Sequence, residues 1–321
     1  MLIDLVKDRK DELIKNISPN FTRNRYDILF KRNYELIKLV DSNREIFIPI
    51  YIQKGTLFIG IYLSELDNST FNYVIKYLFK KYRLITRIKL FSSVNSYNQN
   101  HNLTCHIDYI TELPETEQDY LNSLSSQTRY NLKRKAKKIT SDLGGYKVNI
   151  YNAENIPNTL MLKYFSFKRV THKKIYSITP QEYIYEYHVT KAYEMVINKM
   201  TVAILLISEL DGSVYLENLT YDTSLKKYSL GILLSYFMIN DSRINKKTLI
   251  YWGCDDSYKK HFSNIAIRTY SGYIYRSKFW MFVAENFKNI IRTKRTQYNK
   301  IISICGLDIV LPKCIYGRQR V

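Results

Sequence analysis

Short apolar runs at Ile46 to Ile50 and Leu57 to Tyr62 flank Lys54-Gly55, a pattern that predicts a hairpin. A helix follows over Thr70 to Tyr82 with Asn68 or Ser69 as its cap, then strands over Arg87 to Phe91 and His106 to Ile110. The polar stretch Glu112 to Thr116, broken by Pro114, marks the best domain boundary. Beyond it, Thr179-Pro180-Gln181-Glu182 places a capping threonine before a proline at the first helical position, and the helix runs through Tyr185, His188 and Val189. Strands over Tyr193 to Asn198, Met200 to Ser208 and Ser213 to Asp222 come next, the last two joined by an Asp211-Gly212 turn. A helix opening at Gly231, a strand over Leu249 to Trp252, a short helix over Ser257 to Phe262 and a strand over Arg268 to Tyr275 complete the order. The class is α/β (α+β): mixed, largely antiparallel sheets flanked by helices.

The segment Tyr228 to Leu234 carries the most chemistry. A glycine just ahead of the apolar run Ile232 to Ile239 suits a helix N-terminus, where free N–H groups and the helix dipole attract phosphate oxygens. An ordinary buried helix with a glycine at its start fits the same residues. Two flanking segments bear on the choice: Tyr120 to Lys138, which reads YLNSLSSQTRYNLKRKAKK, and Gly253 to Lys259, which ends in Tyr258-Lys259.

Taken in this order, these segments resemble the FemAB-like, CelD-type branch of the GNAT acyltransferases, the polysaccharide-biosynthesis type, over about half the chain from Asp119 to Tyr275. The resemblance implies two GNAT-like repeats. Residues 1–115 would form a degenerate first repeat, 116–285 the acyl-CoA-binding repeat, and 286–321 a basic extension. It implies acetyl-CoA or another acyl-CoA as co-substrate, bound at Ser229, Leu230, Gly231 and Ile232, with Lys259 pairing with phosphate and Tyr258 protonating the leaving thiolate. The acceptor it implies is an amino sugar, as a sugar nucleotide or lipid-linked. The chain departs from the family where Lys226, Lys227 and Ser229 stand in place of a fuller glycine-rich phosphate loop.

Acyl transfer from a thioester needs an amine held beside the carbonyl, a stabilised oxyanion and a proton acceptor. In the implied fold the strand before the phosphate loop often supplies that base, and Glu217 is the candidate. By alternation it shares a face with Tyr215, Leu219 and Tyr221, away from Leu216 and Asn218. Asp255 and Asp256 follow a strand end, where they either orient an amine, Asp255 also serving as a catalytic carboxylate, or cap the next helix. In the basic run, Arg129, Lys133 and Lys137 fall on one helical stripe, which is either a solvated face or a grip on an anionic acceptor. Arg129 and Asn131 match the family motif. The run Lys168 to Lys174 either adds to that acceptor pocket or, as such runs more often do, forms exposed loop.

Charge narrows the partners. The net charge of +20 favours anions: CoA, nucleotides, nucleic acid or acidic lipid headgroups. Charged tRNA, as donor to an aminoacyl transferase, and duplex nucleic acid, bound by a non-enzymatic protein, are the alternatives. The four cysteines lack CxxC spacing, which favours a reduced, cytoplasmic compartment. No apolar run reaches the roughly 18 residues a membrane span needs, and the five histidines show no metal-site spacing. The tail from Arg292 reads either as a packed extension or as a dock on an anionic membrane face.

Overall fold

The computed structural model describes residues 2–6, 35–41, 44–53, 55–59, 67–93, 101–210, 212–254 and 258–286. They divide into two compact units at Cys105/His106 and again at Thr269/Tyr270. The second cut falls within the last described strand, Ile265–Tyr275, and returns its second half to the N-terminal unit; the boundaries expected from the sequence lie at 112–116 and after 285.

The N-terminal unit contains β1 (Leu2–Val6), β2 (Glu35–Asp41), β3 (Arg44–Gln53), β4 (Thr56–Ile59), α1 (Asn68–Lys81) and β5 (Arg87–Ser93). β3 and β4 form the expected hairpin, with Gln53 paired to Thr56. β4 and β5 run parallel, so α1 is the crossover between them. Its apolar stripe of Phe71, Val74, Ile75 and Leu78 packs on Leu57, Ile59, Ile88 and Leu90. The cap is Asp67, one residue before the expected pair, because its carboxylate accepts from the amides of both Ser69 and Thr70.

The second unit is built from β6 (His101–Glu112) after Cys105, α2 (Glu117–Ser123), α3 (Ser126–Leu143), β7 (Lys147–Asn152), α4 (Asn158–His172), α5 (Pro180–Glu186), β8 (Lys191–Ile197), β9 (Met200–Leu210), β10 (Ser213–Tyr221), α6 (Leu230–Ile244) and β11 (Leu249–Cys254). Its strands lie in the order β6-β11-β10-β9-β8-β7. All neighbours whose register is described are antiparallel except β10 and β11, which α6 joins as a parallel crossover. One face is covered by α3 and α6, where Leu132, Ile139, Leu233 and Met238 meet Tyr193, Leu205, Ile207 and Val214. On the other face Leu160, Met161 and Tyr164 of α4 and Tyr183 of α5 cover Ala192, Ile204 and Leu206. Burying a leucine-sized side chain contributes roughly 1.5–3 kcal/mol. These two layers therefore outweigh surface ion pairs such as Lys247–Glu209, 3.0 Å apart, worth at most about 1 kcal/mol each.

Three expectations change here. α4 puts Lys168 in a helix and buries it, where the sequence suggested exposed loop. The α5 helix starts as expected, with a full capping box between Thr179 and Glu182, but ends at Glu186. The helix expected at Ser257 to Phe262 reduces to one 3₁₀ turn, Lys259–His261, in the described residues. That turn is fastened behind β11: Thr111 Oγ1 donates to the carbonyl of Phe262 at 2.7 Å and accepts from Trp252 Nε1 at 2.7 Å.

Candidate active site

β10 is irregular at one residue. Leu216 pairs with Ile207 and Asn218 with Leu206, so Glu217 is an extra residue with no partner on β9. A bulge of this kind breaks the alternation of side chains. Val214 and Leu216 point into the α3/α6 layer, and so do Leu219 and Tyr221. Glu217 and Asn218 both turn to the α4/α5 side. Strict alternation would group Glu217 with Leu219 and Tyr221 and separate it from Asn218; the bulge reverses both relations.

Glu217 is 5% exposed. Its Oε1 lies 3.1 Å from Ser208 Oγ, which is also 2.7 Å from the carbonyl of His188. Asn218 Nδ2 donates to Tyr183 Oη at 3.0 Å, and Tyr183 Oη is 2.9 Å from Tyr164 Oη. Burial raises the Tyr164 phenol well above its usual pKa, with Tyr183 and Tyr176 adding to the shift. From α4, buried Lys168 donates to the carbonyl of Leu219 at 3.3 Å. Thr220 Oγ1, also buried, has no hydrogen-bond partner among the described residues. A carboxylate, an amide, phenols, an ammonium and an unused hydroxyl thus converge on one face of the strand.

Pairing between β10 and β11 is brief. It covers Ser213 to Tyr215 against Leu249 to Tyr251, where the rings of Tyr215 and Tyr251 stack 4.9 Å apart. Among the described residues no pairing with β11 continues past Tyr215. From Leu216 onward β10 offers backbone N–H and C=O groups along that edge.

After Asp222 the chain makes a 3₁₀ segment, Thr223–Tyr228, and enters α6 through Ser229 in the left-handed conformation (φ 55°). No side chain caps this helix. Its first turn presents backbone amides and the positive end of the dipole. Gly231 is buried here, and a Cβ on it would lie 2.9 Å from Leu219 Cδ2. Close packing of α6 on β10 therefore accounts for this glycine without any ligand.

The face of α3 turned to that segment carries Asn131, Lys135, Lys138 and Asp142, spaced at three and four residues. Lys135 Nζ donates to the carbonyl of Lys227 at 2.9 Å. Lys138 and Lys227 place their ammonium groups 5.9 and 4.9 Å from the ring centre of Tyr228, whose hydroxyl donates to Asp142 at 3.2 Å. Desolvation lowers the pKa of Lys135, and the charges of Arg134 and Lys138 lower it further. The carboxyl of Asp142 is held below its usual range chiefly by the hydroxyl of Ser141. Asn131 Oδ1 is buried with no hydrogen-bond partner among the described residues.

The structure distributes the sequence candidates unevenly. Glu217, Ser229, Leu230, Gly231 and Ile232 lie on β10 and the α6 start. Arg129 does not join them: its Nη1 donates to the carbonyls of Leu121 and Leu124 at 3.0 and 2.5 Å, closing the C-terminal end of α2. Lys133 and Lys137 are exposed on the outer side of α3. Tyr258 is half-buried with its ring against the α3/α6 core, and Lys259 is buried with its Nζ beside Gly253. Asp255 and Asp256 lie outside the described residues, as does the tail beyond 286. Lys135 and Lys138 were not singled out in the sequence, although their spacing with Asn131 and Asp142 was there to find. Among the described residues no helix is long and apolar enough to cross a membrane.

No protein-family model matches the sequence, and no curated protein matches it. Solved structures do match in fold. A chain described as the C-terminal domain of a lysylphosphatidylglycerol synthetase from Agrobacterium fabrum is 9% identical with a TM-score of 0.55, the match covering 87% of this chain and 94% of that one. FemX is 9% identical with a TM-score of 0.52, over 84% and 96% of the two chains. A tandem GNAT protein from the clavulanic acid biosynthesis pathway is 8% identical with a TM-score of 0.50, over 85% and 98%. The chain shares the fold of these three proteins, one of them a tandem GNAT protein, in line with the α/β class expected from the element order and the GNAT fold implied by the resemblance.

Proposed function

We propose that this chain is a GNAT-type acyltransferase that transfers an acyl group from acyl-CoA to the amine of an amino sugar in surface-polysaccharide synthesis. The observation that carries this reading is the bulge at Glu217, which turns a buried carboxylate to one side of β10 just past the last residue paired with β11. A thioester lying along that free edge would meet backbone hydrogen-bonding groups, with Glu217 beside its carbonyl. The acceptor nitrogen attacks the carbonyl carbon, Glu217 takes the nitrogen's proton, and the thiolate leaves and is protonated. Tyr258 is assigned that last proton. The uncapped start of α6, with Lys135, Lys226 and Lys227 near it, suits the phosphates of CoA. Asn131, with its unused buried oxygen, fits the acceptor side better than Arg129, whose guanidinium is already engaged.

Calorimetry with acetyl-CoA and turnover with an amino-sugar acceptor test this reading. Glu217→Gln should keep acyl-CoA affinity within a few-fold and lower turnover by about 10² to 10⁴, the usual cost of losing a general base. Wild-type protein that binds no acyl-CoA would remove the donor; a fully active Glu217→Gln variant would remove the base.

A second reading, aminoacyl transfer from charged tRNA, is favoured by the basic residues Lys133 and Lys137 on the exposed side of α3, turned away from the α6 start. The likeness in fold to a lysylphosphatidylglycerol synthetase, whose name states an aminoacylated product, points the same way.

A further inference from the structure

A second polar centre lies on the same face of the sheet as Glu217 but on β8, with β9 between the two. Glu194 is 9% exposed and forms part of the floor of a cleft of about 310 Å³. The cleft holds roughly ten times the volume a water molecule occupies in the liquid, about 30 Å³. Three neutral donors hold the carboxylate. Asn149 Nδ2 and Tyr151 Oη each donate to Oε2 at 2.9 Å, and Thr201 Oγ1 donates to Oε1 at 2.5 Å. No cation stands within 4.0 Å of it among the described residues. Buried carboxylates are ordinarily paired, because a desolvated charge without a counter-charge is costly.

The chain spends an irregularity on this arrangement. Val196 pairs with Thr201 and Met195 with Ala203, so Val202 is extra on β9. Val202 and Ala203 consequently both face the α3/α6 core, and Thr201 is turned to the opposite face, onto Glu194. Bulges of this kind re-aim a side chain.

The directions of these bonds decide what the cleft accepts. A carboxylate only accepts hydrogen bonds, so the hydroxyls of Tyr151 and Thr201 commit their protons to it. Toward the cleft both then present lone pairs alone. Oε1, with one donor, has capacity for another. The floor is therefore made of acceptors, one of them charged, while Leu160, Pro157 and Met200 provide apolar walls; Thr159 and Lys163 complete the lining, the Lys163 ammonium lying 5.0 Å from the ring centre of Phe167, outside the cleft. A primary ammonium, with three donors and no acceptor, is the complement of that floor, and a short alkyl chain is the complement of the walls.

From this geometry we infer that the Glu194 cleft is a binding site for a small primary alkylamine, separate from the acyl-transfer site. The site discriminates by charge and donor count: an alcohol of the same length offers one donor and no charge.

Thermal unfolding of the full chain titrated with n-pentylamine or 1-pentanol tests it. The amine should raise the midpoint in a saturable way and the alcohol should not. Glu194→Gln should abolish the difference between the two probes. Met200→Trp should do the same by filling the cleft while the carboxylate stays in place, and since Met200 is 64% exposed the fold should tolerate the change. Equal responses of the wild type to amine and alcohol would overturn the site. So would an undiminished amine response in folded Met200→Trp or folded Glu194→Gln.

Discussion

Gly231 illustrates how one residue can be chosen for a reason the sequence does not state. A glycine at a helix start suggests close approach of a phosphate, but here the nearest obstacle to a side chain is Leu219 Cδ2, 2.9 Å from where a Cβ would sit. Alanine in a helix is favoured over glycine by roughly 0.5–1 kcal/mol, and the crowding at Leu219 opposes that gain. Gly231→Ala alone should leave stability nearly unchanged, since the two effects offset. In a Leu219→Ala background the crowding is gone, and the same substitution should stabilise by about 0.5–1 kcal/mol, a coupling that a double-mutant cycle in urea resolves. A cycle with no coupling would return the glycine to the phosphate explanation. Glu217 is the converse case: the sequence shows the carboxylate on its strand but not its neighbours, because the bulge depends on how β9 and β10 pair rather than on any residue in β10.

At the scale of elements, helices and strands with strong local signals were legible. The Thr179 capping box, the Gly231 helix and the β8–β9–β10 succession all fall within a few residues of their expected positions. α4 was missed because its inner face, Leu160, Met161, Tyr164, Phe167 and Lys168, ends in a lysine that reads as solvent-facing. That lysine buries its stem and hydrogen-bonds a strand carbonyl instead. The working face of α3 was missed for a related reason: the stripe Arg129, Lys133, Lys137 is as basic as the stripe Asn131, Lys135, Lys138, and only packing separates them. The joint between α2 and α6 gives a test at this scale. Tyr236 Oη donates to Glu117 Oε1 at 2.5 Å, and burial together with that bond pushes the phenol pKa from 10.0 up to about 12. The folded protein therefore holds the phenol's proton more tightly than the unfolded chain. The resulting stability is complete below pH 10, falls as the unfolded chain ionises, and levels off above about 12. Tyr236→Phe should cost about 1 kcal/mol at pH 8, a value discounted for the partial exposure of the pair, and should make the loss of stability between pH 10 and 12 shallower. Tyr120 and Tyr193, also raised by burial, should keep part of that alkaline loss in both proteins. Urea titrations at several pH values with the same slope for both proteins would remove Tyr236 from the account.

For the molecule as a whole, the net charge of +20 serves both donor readings until the charges are sorted by position. CoA carries few phosphates and would engage only the lysines beside the α6 start, whereas a nucleic acid would extend over exposed lysines as well. Affinity for a phosphate-bearing ligand falls with salt in proportion to the number of counterions released, so each lysine that contacts phosphate contributes roughly 1 to the slope of log K against log salt. For CoA, changing Lys226 and Lys227 to Glu should weaken binding about tenfold or more, since two favourable contacts become repulsive, and flatten the salt slope. Changing Lys133 and Lys137 to Glu should leave CoA affinity within about two-fold, because both sit on the far side of α3 and are screened beyond a Debye length of about 10 Å at 0.1 M salt. The opposite result, with both pairs weakening tRNA equally and CoA not binding at all, would mark the basic surface as a continuous track for a polyanion and make tRNA the carrier of the acyl group.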